Sequence, residues 1–201
     1  MEEMKCAIYD FETLSQDVSK GVVLSIAGMS YDENKFLDDP YTYDELLNRC
    51  KCIKFDVREQ VKKYGREIQS STLDWWKEQP KQVQEQIKPS NHDVSITELC
   101  SFLVNDLDTP NSAKIFTRGN TFDPMFAEFI FRDVGKVDPT PWWSIRDVRS
   151  YIDGFTFGTD IRHNFIPDEL KDKFIAHDPL HDVSMDVYRM QYLIRTIYGK
   201  D

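Results

Sequence analysis

Asp10 and Glu12, in the stretch AIYDFET, stand two residues apart at the end of an apolar run. In an extended chain, residues i and i+2 project from the same face, so both carboxylates would point the same way. Like charges held that close repel strongly unless a cation sits between them. A bare pair of this kind is most simply an exposed strand end, and company is what would make it a metal site. Two further acids qualify: Asp123, which opens an aromatic-rich segment, and Asp186, near the start of the last amphipathic stretch. Taken singly, Asp123 reads as a charge complementing a helix dipole and Asp186 as a solvated or capping residue. Close to Asp186 one spacing occurs twice, because FIAHDPLHDVSMDVYRMQ places His177 five residues before Asp182 and His181 five before Asp186. A histidine of near-neutral pKa can take a proton from water at physiological pH, so either could serve as a general base.

The elements that must carry these groups are legible in outline. MKCAIYDFET reads as a buried strand, GVVLSIAGMSYDENKF as a second strand leading to a turn at Asp32 to Asn34, and CKCIKFDV as a third. The first two suggest an antiparallel pair. A charged helical segment from Arg58 to Tyr64 ends at Gly65. Ser71 with Asp74 suggests an N-cap for TLDWWKEQ, another helix covers Lys81 to Ile87, and Ser95 with Glu98 suggests a capping box opening ITELCSFLVNDL. AKIFTRG looks like a short central strand. TFDPMFAEFIFRDVG looks like a helix with Pro124 in its first turn and Gly135 past its end. WWSIRDVRSYI suggests a short strand passing into a helix at Asp147. Val183, Val187, Met190, Ile194 and Ile197 alternate four- and three-residue steps, so the last helix buries one face. Strands first and then alternating helices and strands describe an α/β sheet with an antiparallel meander at its start, an order that suits a ribonuclease-H-like sheet.

Composition narrows the function classes. With 201 residues, 40% of them hydrophobic, the chain suits one domain over residues 1–201 with a sizeable core. No apolar run reaches the length of a bilayer span and MEEMKC lacks the features of a signal peptide, so a soluble, cytoplasmic protein is expected. Cys6, Cys50, Cys52 and Cys100 form no paired CxxC set, and no zinc is assigned. Cys50 and Cys52 read as half-buried strand residues. A net charge of −10 argues against coating long nucleic acid, but not against gripping a strand end. The one dense basic stretch, Lys51 to Arg66, reads as a solvated face. Trp75, Trp76 and the phenylalanines from 122 to 131 read as core first and base-stacking platforms second, with one tryptophan of the pair at most facing a cleft. Trp142 and Trp143 share that ambiguity. Arg118, Arg146 and Arg149 are candidates for substrate backbone contacts, and His92 and His163 read as surface residues.

YDFET, RGNTFDPMF and HDVSMD, in this order and spacing over nearly the whole chain, resemble the three exonuclease motifs of the DEDDh family, also called DnaQ-like or RNase T-like, and in particular its phage branch. The resemblance implies a ribonuclease-H-like fold in which Asp10, Glu12, Asp123 and Asp186 hold two divalent cations, magnesium or manganese. Carboxylate and water oxygens suit such hard ions. It implies hydrolysis of the terminal phosphodiester from the 3′ end with a histidine as base, releasing nucleoside 5′-monophosphates. Thr13 and Leu14 occupy the positions that hold the 3′ terminus, the first by its backbone and the second as a wedge against the last base. The chain departs from the pattern at Gly119, where many members have Asn, and at Val183, where Ala is frequent.

The expected substrate is the 3′ end of single-stranded DNA. RNA is the first alternative, and a non-catalytic nucleic-acid-binding module or an endonuclease of the same fold are the others. Spacing cannot choose between the two histidines. The apolar stripe starting at Val183 places Asp186 on an established helix, whereas the other register puts Pro179 inside the motif. His181 as base with Asp186 as ligand is therefore expected, with His177 bracing a loop.

Overall fold

The computed structural model describes residues 4–200. Its sheet contains β1 (Lys5–Thr13), β2 (Val23–Asp32), β3 (Lys51–Lys54), β4 (Lys114–Thr117) and β5 (Ile145–Asp147), in the spatial order β3-β2-β1-β4-β5. The first three strands form an antiparallel meander, and β4 and β5 add in parallel on the other side of β1. This is the ribonuclease-H-like arrangement that the order of elements implied. The helices are α1 (Lys35–Asp38), α2 (Tyr43–Arg49), α3 (Val57–Tyr64), α4 (Ser70–Glu78), α5 (Lys81–Gln84), α6 (Leu99–Ser101), α7 (Asp123–Asp133), α8 (Val148–Thr156) and α9 (Pro179–Ile197). Among the described residues, no helix is long and apolar enough to cross a membrane.

Strand alternation divides β1 between two cores. Ala7, Tyr9 and Phe11 face α7 and the 96–107 segment, packing with Leu99, Phe102, Phe126 and Ile130. Cys6 and Ile8 face the other way, onto α8 and α9, where Ile152, Val183, Val187 and Met190 close the layer. Side chains two residues apart share a face, so Asp10 and Glu12 continue the Cys6–Ile8 row and emerge where α9 begins. Burying a core leucine, valine or phenylalanine contributes about 1.5–3 kcal/mol, so the first face holds α7 and the second holds α9 tightly on the sheet.

The helical signals at the edges of the sheet differ in detail from expectation. Helix α4 starts at Ser70 with Gln69 as its N-cap, and no side chain caps it, so Ser71 lies within the first turn. Ser95 does cap a turn, accepting from the Thr97 N–H, but Glu98 does not complete a box. Glu59 of α3 performs that role from outside, accepting from the Ser95 hydroxyl at 3.0 Å and the Ile96 N–H at 3.2 Å. The segment that follows is a 3-10 turn, one α turn and a π turn at Phe102–Asp106 rather than a uniform helix. The apolar stripe of α9 is buried at Val183, Val187 and Met190 but runs out into solvent at Ile197. Arg66, read as part of a solvated basic face, is buried and donates to the Gly21 carbonyl at 2.6 Å. Cys50 is buried just before β3, while Cys52 within it is exposed.

Candidate active site

The site forms where β1 outruns its neighbour. Strand β4 pairs with β1 only over Cys6–Ile8, which leaves the β4 side of β1 open beyond that point. Asp123, the first residue of α7, fills the gap: its Oδ1 accepts from the Phe11 N–H at 3.1 Å. The same carboxylate is almost fully buried, and its Oδ2 has no hydrogen-bond partner. A buried carboxylate oxygen left unsatisfied costs several kcal/mol on the scale of about 1–3 kcal/mol for neutral groups and more for charged ones.

The last helix delivers the remaining groups. Asp178 is its N-cap, accepting from the Leu180 and His181 N–H groups, and Pro179 is its first helical residue. Proline suits that place because the missing N–H would have no intrahelical partner. Asp182 then falls in the first turn, beside the sheet. Ligand oxygens of Asp10, Glu12 and Asp182 all lie within 4.8 Å of one another, the one such group among the described residues. His177 lies just before the helix with φ of 65°, a left-handed conformation uncommon for a residue with a side chain. Its N–H donates to Asp182 Oδ2 at 3.0 Å, and its ring meets the Trp75 ring edge-on at 4.8 Å.

The register expected from the sequence is not the one brought to the cluster. Asp186, one helical turn further on, is taken up by two arginines: Arg118 Nε and Nη2 donate to it at 2.9 and 2.5 Å, and Arg189 Nη1 at 2.8 Å. His181 turns away to Tyr43, whose hydroxyl lies 3.0 Å from its Nδ1, and packs near Phe174. The physical reason is the helix start. Counting from the stripe put Asp186 in the opening turn, whereas the Asp178–Pro179 cap starts the helix earlier and gives that place to Asp182.

A cleft of about 440 Å³ holds Asp10, Glu12, Asp182, His177, Arg118 and Asp186 in its walls, without His181. A neighbouring cleft of about 370 Å³ shares Glu12 and is walled by Thr13, Trp75, Trp76 and Phe122. Thr13 thus reaches a cleft, but Leu14 does not: it is 4% exposed and packed with Val22, Leu24 and Trp76. The register shift between Glu12 and Thr13 turns it inward, so it offers no wedge to a base. Trp75 is half-exposed, while Trp76 is buried and donates its indole N–H to the Thr13 carbonyl at 2.9 Å. Trp142 and Trp143 are exposed and stack edge-on against each other. Arg146 donates to its own loop carbonyls, whereas Arg149 lies so close to Gly119, φ 116°, that a side chain there would touch its guanidinium. Sequence reasoning missed Arg189 and Tyr43 altogether, since neither lies in a motif.

Burial and mutual repulsion dominate the electrostatics of the cluster. Burial, then the charges of Asp123 and Glu12, push the Asp10 carboxyl well above its ordinary range, and burial with Asp182 does the same to Glu12. Burial also raises Asp182, with Asp186 adding to it, and Asp123, each to about 7. Burial lowers the His177 pKa, which favours the neutral imidazole. The carboxylates, with one orphaned buried oxygen among them, fit a divalent cation. A carboxyl raised in the folded state contributes stability at low pH that is lost as pH rises through its folded pKa. The cation-free protein is therefore expected to lose melting temperature from these groups between roughly pH 5 and pH 7.5. Added magnesium should raise the melting temperature more at the upper pH than the lower, by roughly 2–4 °C per kcal/mol gained. Thermal melts with chelator or magnesium at both pH values check this, and an equal shift at both would contradict it.

Residues 5–193 match the family described as 3′-5′ exoribonuclease Rv2179c-like domain. The exodeoxyribonuclease of Enterobacteria phage T4 is 31% identical over 210 residues, covering 96% of this chain and 90% of the phage protein. Among solved structures, the zinc-bound complex of E. coli exonuclease I with single-stranded DNA aligns with a TM-score of 0.59 at 16% identity, over 100% of this chain and 41% of that one. A further exonuclease I structure aligns with a TM-score of 0.60 at 15% identity, over 99% and 42%. The chain spans about two-fifths of the exonuclease I chains, and at such identities the likeness concerns the fold alone. Ribonuclease-H-like sheet, acidic cleft and matched length agree, and the chain belongs to the 3′-5′ exoribonuclease Rv2179c-like domain family of DEDDh-type 3′-5′ exonucleases.

Proposed function

We propose that the protein removes nucleotides one at a time from the 3′ end of single-stranded DNA, with Asp10, Glu12, Asp123 and Asp182 as the ligands of two magnesium or manganese ions and His177 as general base. The convergence of Asp10, Glu12, Asp182 and His177 on one cleft carries this reading. When bound, the cations supply the positive charge that acidifies water and offsets the charge developing on the departing 3′ oxygen. His177 takes the proton of the attacking water, for which burial keeps it neutral. Its backbone N–H, donating to Asp182, anchors the main chain, and the Trp75 ring packs against the imidazole. Water adds to the terminal phosphorus, the bond to the preceding 3′ oxygen breaks, and a nucleoside 5′-monophosphate leaves a chain one residue shorter with a new 3′ hydroxyl. Thr13 and the walls of the second cleft receive the terminal nucleotide. All these groups project from one continuous sheet and the helices on it, which supports a single exonuclease domain.

The DNA preference rests on the 31% identical phage relative, named an exodeoxyribonuclease. RNA is the second reading, favoured by the exoribonuclease description of the matching family. Sugar choice depends on space and hydrogen bonding at the 2′ position. Matched 5′-labelled DNA and RNA oligomers separate the two: a ladder shortening from the 3′ end is expected on both wherever accepted, with DNA degraded faster. Faster degradation of RNA would overturn the DNA assignment.

A further inference from the structure

We infer that Arg118 binds a non-bridging oxygen of the terminal phosphodiester and that Asp186 is the positioning residue that aims it; the inference rests on the exonuclease reading above. Arg118 directly follows β4 and shares the wall of the cleft with Asp10, Glu12 and Asp182. Its Nε and Nη2 are both held by Asp186, and Nη2 also donates to the His163 carbonyl at 3.3 Å. No described group accepts from its Nη1. The pair is graded in exposure: the Asp186 side chain is 5% exposed and that of Arg118 21%.

Neutralising Asp186 does not require Arg118. Arg189 already pairs with it at 2.8 Å, is equally buried, and spends its other nitrogens on the Phe165 and Asn164 carbonyls. One carboxylate between two guanidinium groups leaves a unit of positive charge; both arginines line the cleft, and Arg118 is the more exposed, 21% against 5% for Arg189, whose other nitrogens are already spent. An Arg fixed on one edge by a bidentate carboxylate keeps its planar fork oriented, so its free edge meets a phosphate with little loss of side-chain entropy. The same cleft holds a cluster of carboxylates that repels phosphate. A cation pinned beside it gives the backbone a place to lie.

The test uses single-stranded oligonucleotides whose terminal linkage is either a phosphodiester or an uncharged methylphosphonate. Binding is measured by fluorescence anisotropy in calcium, and turnover of the phosphodiester separately in magnesium. Wild type should bind the charged linkage about 10-fold more tightly than the neutral one, the size of one charged hydrogen bond. Arg118→Ala should lose most of that difference and raise KM, Arg118→Lys should restore part of it, and Asp186→Asn should weaken it with Arg118 still present. Manganese binding by all three variants should match wild type, which also reports that they fold. An undiminished preference for the charged linkage in Arg118→Ala overturns the inference while leaving the exonuclease reading intact. If wild type neither binds nor shortens either oligonucleotide, the exonuclease reading fails, and this inference with it.

Discussion

His177→Ala is expected to lower kcat on a single-stranded oligonucleotide by about 10²–10⁴-fold, the usual contribution of a positioned general base, while His181→Ala keeps most of its turnover. His177 lies in the wall of the cleft with Asp10, Glu12 and Asp182, held by its own N–H to Asp182 and by Trp75. His181 is engaged with Tyr43 between helices α2 and α9. Removing its ring leaves the tyrosine hydroxyl without that partner, which costs about 0.5–1.5 kcal/mol of stability and not chemistry. Steady-state kinetics beside melting curves distinguish the two outcomes. His177→Ala should melt close to wild type and turn over slowly; His181→Ala should melt earlier and turn over well. The reverse ranking would return the base to His181.

Asp182→Asn is expected to lose about 10³-fold or more in turnover, because it removes a ligand from the group that would hold the cations. Its stability should move the other way. Asp182 is a half-buried carboxylate raised to about 7 by desolvation and by Asp186, so without a cation its charge is a burden at neutral pH. The amide keeps the shape and removes that charge, so the chelated variant should melt above chelated wild type at about pH 7.5. Asp186→Asn should behave oppositely. It strips the anion from between Arg118 and Arg189 and should cost about 3–5 kcal/mol, as removing one partner of a buried ion pair does. Some turnover should survive, reduced through Arg118. Opposite signs of the two melting shifts in chelator would separate a cation ligand from a structural carboxylate four residues away.

Much of this was legible in the sequence because alternation and spacing act locally. The period of two in β1 put Asp10 and Glu12 on one face, and the Asp147 cap and Gly135 stop placed the ends of α8 and α7. Asp123 was legible for the same reason, as the first residue of a helix after a central strand. Of two registers with equal spacing, the structure sets the one not expected, His177 with Asp182, beside Asp10 and Glu12. The signal that resolves the choice was present: Asp178 followed by Pro179 is a cap and first-turn pair that starts the helix before either candidate carboxylate. An apolar stripe reports where a helix is buried, not where it begins. The burial of Leu14 and the bond of Asp186 to Arg118 were not legible, because both follow from contacts between residues far apart in sequence: Leu14 with Val83 and Trp76, Asp186 with Arg118. The Ser71 cap failed more simply, since the helix begins before it, at Ser70 after Gln69; Ser95 does cap its turn, and Glu59 of α3 takes the part expected of Glu98.

Manganese binding tests directly, without reliance on turnover, whether Asp182 holds the divalent cations with Asp10 and Glu12. Isotherms of wild type, Asp182→Asn and Asp186→Asn, recorded side by side at about pH 7.5 where the raised carboxyls ionise, should show near-wild-type affinity for Asp186→Asn. Asp182→Asn should bind at least about 10-fold more weakly, a loss of 1.4 kcal/mol or more. Weakened binding in Asp186→Asn with full affinity in Asp182→Asn would contradict that role for Asp182 and place the site one helical turn further along the last helix.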